Sequence, residues 1–96
     1  MEVRIRYLSR EMAKLFGSDK KREIISLSDN AKYEDLLNLL NEKYKKAVET
    51  LYGGKYREMM SDVFMFICKG NFVEGMSDKK INPNSEVLVA YADIGG

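Results

Sequence analysis

Residues 33–52 read YEDLLNLLNEKYKKAVETLY, and this stretch decides the fold. Tyr33, Leu36, Leu37, Leu40, Tyr44, Ala47, Val48 and Leu51 recur at three- and four-residue spacing. That period puts them on one face of an α-helix, as a broad apolar stripe turned inward. Glu34 and Asp35 suit the positive end of the helix dipole, and Lys43, Lys45 and Lys46 lie toward the other end. Ser28, Asp29 and Asn30, just upstream, are the cap candidates. Gly53 and Gly54 break the helix.

On both sides of this helix the period changes to two. In EVRIRYL (2–8), Val3, Ile5 and Tyr7 fall on one face and Glu2, Arg4 and Arg6 on the other, which predicts a half-buried strand. SREMAKLFG (9–17) shifts to helical spacing through Met12, Leu15 and Phe16, with Gly17 as the stop. KREIISL (21–27) resumes strand character with Ile25 and Leu27 inward. The short GSDKK loop makes these two strands antiparallel neighbours. Beyond the helix, residues 52–61 form a short second helix or an ordered loop. DVFMFICKG (62–70) is apolar on both phases: Val63, Met65 and Ile67 on one, Phe64, Phe66 and Cys68 on the other. Such a strand is covered on both faces, or one face awaits a partner. KGNF and INPNS carry turn chemistry, FVEGM adds a short strand, and EVLVAYA (86–92) is the final strand.

This order gives an α+β domain: a mixed sheet of four to five strands packed on one long helix, with a short helix after strand one. The crossover through Tyr33–Leu51 is expected to bring the third strand beside the first, leaving the last strand central and running straight into the tail. That arrangement is the ubiquitin-like β-grasp. Residues 1–92 are expected to form the domain and 93–96 a flexible tail.

Composition removes several functions. The chain is 96 residues long, enough for one domain with a modest core. Sixteen bases against 15 acids give a net charge of +1, so no general pull toward nucleic acid or membrane is expected. The bases crowded near the front are interleaved with Glu2, Glu11, Asp19 and Glu23, which reads as a solvated face. There is no histidine, the commonest general base and metal ligand. The single cysteine, Cys68, excludes a disulfide framework or a Cys-x-x-Cys metal site, and reads as a small buried hydrophobe. No apolar run approaches the roughly 18 residues of a membrane span. Charges interrupt the first residues too often for a signal peptide, so the expected location is the cytoplasm.

Three segments together carry a resemblance. VRIRYLSREMAKLFG looks like the opening strand and short helix, AKYEDLLNLLNEKY like the helix, and EVLVAYADIGG like the closing strand and tail of the ubiquitin-like sulfur carriers and modifiers. That family includes the archaeal small modifiers, the small subunit of molybdopterin synthase and the ubiquitin-related modifier of tRNA thiolation. The last is the nearest in length and in its front segment.

The resemblance implies that this chain is no enzyme, has no catalytic residue of its own and binds no cofactor or metal. An activating enzyme would use ATP to adenylate the carboxylate of Gly96. The acyl group would then pass to sulfur from a sulfurtransferase, giving a thiocarboxylate for tRNA thiolation, or to lysines of target proteins as an isopeptide bond. Gly95 and Gly96 have no side chains to obstruct a narrow enzyme channel, and Asp93 and Ile94 would register the tail within it. Leu88 and Ala90, with Phe64 and Phe66 or with the opposite phase of that strand, are the candidate partner patch. Alternatively, the 52–61 segment folds over that face. The molybdopterin synthase small subunit, and a β-grasp binding module with an inert tail, remain as other readings.

Overall fold

The computed structural model describes residues 1–53 and 59–92. The elements run β1 (Glu2–Tyr7), α1 (Arg10–Lys14), β2 (Arg22–Ser26), α2 (Tyr33–Tyr52), α3 (Met60–Val63), β3 (Phe64–Cys68), β4 (Asn71–Phe72), a 3₁₀ turn (Val73–Met76) and β5 (Glu86–Tyr91). They build a five-stranded mixed sheet in the order β2-β1-β5-β3-β4, packed on α2. This is the β-grasp.

The alternation of EVRIRYL is realised: Val3, Ile5 and Tyr7 are buried. β1 pairs antiparallel with β2 and parallel with β5, Arg4 facing Ile24 on one side and Glu86 on the other. β5 also pairs antiparallel with β3. The last strand is therefore central, as expected. The third strand, however, does not lie beside the first, because β5 takes that place and satisfies both neighbours at once. Lys69 and Gly70, at φ 51° and 80°, form the two-residue β3–β4 turn. Two successive positive φ values are the turn geometry that matches strand twist. Only Asn71–Phe72 of the expected fourth strand pairs, and Val73–Met76 winds into the 3₁₀ turn.

Five aromatic rings centre on Phe16. Its ring lies 5.3 Å from Tyr7, 5.0 Å from Phe64, 5.7 Å from Tyr44 and 6.3 Å from Phe66, centroid to centroid. Each such pair adds about 0.5–1.5 kcal/mol beyond area burial. α1 places Phe16: Ser9 caps it by accepting from the Met12 N–H at 3.1 Å, and Gly17 turns the chain away at φ 75°. Tyr7 donates its hydroxyl proton to Glu23, and Lys43 reaches the other carboxylate oxygen at 3.4 Å. Burial first, and then Glu23, hold the Tyr7 phenol far above the usual tyrosine range.

Two expectations about α2 fail for physical reasons. Its first turn is not capped by Ser28, Asp29 or Asn30. The cap residue is Lys32, whose N–H donates to the Asp35 carboxylate at 2.8 Å. The Tyr33 and Glu34 N–H groups donate to the carbonyls of Lys79 and Ser77 at 3.0 and 2.9 Å. A distant segment thus supplies the acceptors that a local side chain would otherwise give. At the other end, Leu51 belongs to the apolar stripe by spacing yet is 52% exposed, because α2 outruns the sheet. Gly53 ends the helix at φ 60°, its N–H donating to Glu49 O at 2.8 Å. Gly54 lies outside the described residues.

Candidate functional site

Two features of the sheet bear on function: its outer face, turned away from α2, and the end of β5. Strand phase sets the first. Val87 and Val89 are fully buried against the helix side, so Leu88 and Ala90 lie on the other face, where Leu88 is half-buried and Ala90 is buried. β3 is read through its pairing with β5. Phe66 faces Val89, while Met65 faces Ala90 and Ile67 faces Leu88. Phe64 and Phe66 are 1% exposed and sit in the aromatic core. Of the named patch residues, the structure brings Leu88 and Ala90 together and removes Phe64 and Phe66. Met65 and Ile67, of the opposite phase, take their place.

Phe72 extends this strip, because it faces Ile67 across the β3–β4 pair and is exposed. Phe72 was not foreseen in this role. Its signal was the KG turn, which fixes the register of the strand that follows. The other half of the outer face is charged. Arg4 donates to Asn84 O at 2.9 Å, and Arg6 lies 3.8 Å from Glu86. The face thus runs from an apolar strip on β5, β3 and β4 to the arginines of β1 and β2, among which Ile24 is exposed opposite Arg4. Of the 52–61 segment, Met60 is buried and belongs to the core, while Met59 is exposed. Residues 54–58 lie outside the described residues.

The end of β5 is held firmly. Phe64 faces Tyr91, and the two rings stack at 5.6 Å. The Ala92 N–H donates to Val63 O at 2.8 Å. The chain is therefore fixed to the sheet up to its last described residue. Asp93, Ile94, Gly95 and Gly96 lie outside the described residues.

Among the described residues, no three His, Cys, Asp or Glu side chains gather in a group that could hold a metal ion. Cys68 is buried, with its sulfur 3.8 Å from the Tyr33 hydroxyl. Burial pushes that hydroxyl upward, and the thiol adds to the shift. Among the described residues, no helix is long and apolar enough to cross a membrane.

No protein-family model matches the sequence, and comparison with curated protein sequences finds no match. Solved structures do match. The chain superposes on SAMP1 from Haloferax volcanii with a TM-score of 0.63 at 17% identity, covering 100% of both chains. A Pyrococcus furiosus protein described as molybdopterin converting factor, subunit 1, gives 0.59 at 18% identity, over 93% of this chain and 94% of that one. The small archaeal modifier protein SAMP1 from Methanosarcina acetivorans gives 0.59 at 19% identity, over 99% and 96%. At these identities the likeness establishes the shared β-grasp fold.

Proposed function

We propose that this chain is a ubiquitin-like sulfur carrier and protein modifier whose reactive group is the carboxylate of Gly96. It is a substrate of an enzyme and has no catalytic residue of its own. A carboxylate is a poor electrophile, so an ATP-dependent activating enzyme must first convert it to an acyl adenylate, releasing pyrophosphate. The terminal sulfur of a persulfide on a sulfurtransferase then displaces AMP and forms an acyl disulfide, and a second thiol attacks the sulfurtransferase sulfur, leaving a disulfide there and releasing the thiocarboxylate for tRNA thiolation. Alternatively, the activated acyl group passes to a lysine amine of a target protein and forms an isopeptide bond. Gly95 and Gly96 pass a narrow channel because neither has a side chain, and Asp93 and Ile94 set their register. Leu88, Ala90, Met65 and Ile67 dock the activating enzyme. These steps belong to the cytoplasm, where ATP is at hand.

The observation that supports this reading most is the placement of β5. The strand is central, paired on both sides, and pinned through Ala92 to Val63. The sequence that follows it is Asp93-Ile94-Gly95-Gly96. A strand held on both sides that leads into a segment closing on two glycines suits delivery of a carboxylate into another protein's active site.

The test compares N-terminally tagged protein with a version lacking Gly96, each blotted under denaturing, reducing conditions from its own cells. Heavier bands that vanish on truncation are the expected result for conjugation. An alkylatable thiocarboxylate on the full-length protein is the expected result for sulfur transfer. Absence of both, with the truncated protein fully functional in its cells, would leave an inert-tail binding module. In mass spectrometry the remnant on a target lysine is Ile81–Gly96, because Lys80 is the last tryptic site.

A second reading has one observation in its favour, the likeness to the Pyrococcus furiosus molybdopterin converting factor subunit. It keeps the same terminal chemistry and delivers the sulfur within a molybdopterin synthase. Co-purification with a larger subunit at equal stoichiometry would favour it.

A further inference from the structure

The last turns of α2 carry apolar surface that the core does not use. Leu51 continues the buried stripe by spacing but is 52% exposed. Beside it lies a groove of about 500 Å³ between α2 and the chain that leaves α1. Ala47 and Leu51 give the groove its accessible apolar surface, with the buried Phe16 behind them.

The rim of the groove is basic. Lys14 stands on the α1 side and Lys46 on the α2 side. Among the described residues, neither has a carboxylate within ion-pair distance, whereas Lys43 is occupied by Glu23 at 3.4 Å. Asp19 is the one acid among the lining residues. An apolar trough with two unpaired ammonium groups on its edges is complementary to an apolar segment flanked by carboxylates. The groove is open along its length, which suits a laid-in peptide better than an enclosed small molecule.

We propose that this groove is a docking site for an acidic, apolar peptide segment of a partner protein. Its apolar side chains rest on Ala47 and Leu51, and its carboxylates pair with Lys14 and Lys46. The groove lies on the helix side of the sheet, away from Leu88 and Ile67. One partner can therefore hold it while another engages the outer face. It uses no residue of the tail.

The test is titration of the ¹⁵N-labelled full chain with the synthetic peptide ELLEDLFE, using KLLKKLFK as the charge-reversed control. The expected result is shifts at Lys14, Gly17, Lys46, Ala47 and Leu51 with the acidic peptide alone. Reversing both lysines (Lys14→Glu with Lys46→Glu) should weaken binding by about tenfold or more, since like charges then face each other. Leu51→Ser should weaken it without reversing charge preference, and both variants lie on exposed positions that leave the core intact. Deleting Gly96 should leave the shifts unchanged, which separates this site from the tail chemistry. Shifts confined to the outer sheet face, binding unaffected by charge reversal, or no binding at millimolar peptide would overturn the proposal. So would a dimer in sedimentation that Leu51→Ser dissolves, because the groove's occupant would then be a second copy of the chain.

Discussion

Phe66 and Ile67 are adjacent in β3, similar in hydrophobicity, and opposite in fate. Phe66 is buried among Phe16 and the other core rings. Ile67 is half-buried on the outer face, beside Leu88 and Phe72. The two faces of one strand thus have the same chemistry and different tasks. The helix side is closed by residues of this chain and contributes stability. The outer side has apolar neighbours within the sheet, of which Met65, Ile67 and Leu88 stay half-buried. Apolar character alone does not tell core from docking surface; whether a second layer covers it does.

Substitutions on each face can break that distinction. The largest effect is expected at the core. Phe66→Ala should cost about 3–5 kcal/mol, read as a drop in urea midpoint, because the rings around Phe16 cannot collapse fully into the space. A loss below about 1 kcal/mol would mean that the helix side is as loosely closed as the outer one. On the outer face, Leu88→Asp should change stability by less, about 1 kcal/mol or under, as a partly exposed site. If the proposed activation holds, AMP transfer from ATP to the Gly96 carboxylate in the same variant should fall by about tenfold or more, the scale of a lost interface anchor. If stability collapsed and transfer did not, the outer face would be structural.

The smallest effect sharpens the boundary between β1, β2 and α2. Tyr7→Phe removes the hydroxyl that donates to Glu23 and should cost about 1 kcal/mol near neutral pH. The folded-state phenol is held above its unfolded value of about 10, so its contribution is complete below that pH. As pH rises beyond about 10, the unfolded chain ionises first and the contribution fades. The stability gap between wild type and Tyr7→Phe should therefore narrow above pH 10, measured by denaturant unfolding at several pH values. A constant gap would mean that burial does not favour the neutral phenol.

Most of the fold was legible because its signals are local. The alternation through Val3, Ile5 and Tyr7, the helical spacing through Leu36, Leu40 and Tyr44, and the stop at Gly17 each follow from near neighbours in sequence. What was not legible depends on distant partners. The phase of β3 is ambiguous within DVFMFICKG and is resolved only by its register with β5. The start of α2 could not be assigned from Ser28–Asn30, because its acceptors are the carbonyls of Ser77 and Lys79. The exposure of Leu51 follows from where the sheet stops, which the helix's own pattern does not encode. The candidate site divides the same way. Leu88 and Ala90 were readable from β5 alone, whereas Met65 and Phe72 needed the assembled sheet. The role assigned to Gly95 and Gly96 came from resemblance and falls on residues outside those described.

The parallel pairing of Arg4 with Glu86 has a kinetic meaning. During synthesis β1 leaves the ribosome first and β5 last of the described strands. Until β5 arrives, β1 and β3 each keep one open edge, and the sheet is two separate pieces. Contacts so far apart in sequence put such a domain toward the slower end of small-protein folding. The strand that closes the sheet is also the one that leads into the tail. A chain cut short before Glu86, or still being made, therefore has neither a joined sheet nor the segment that follows it.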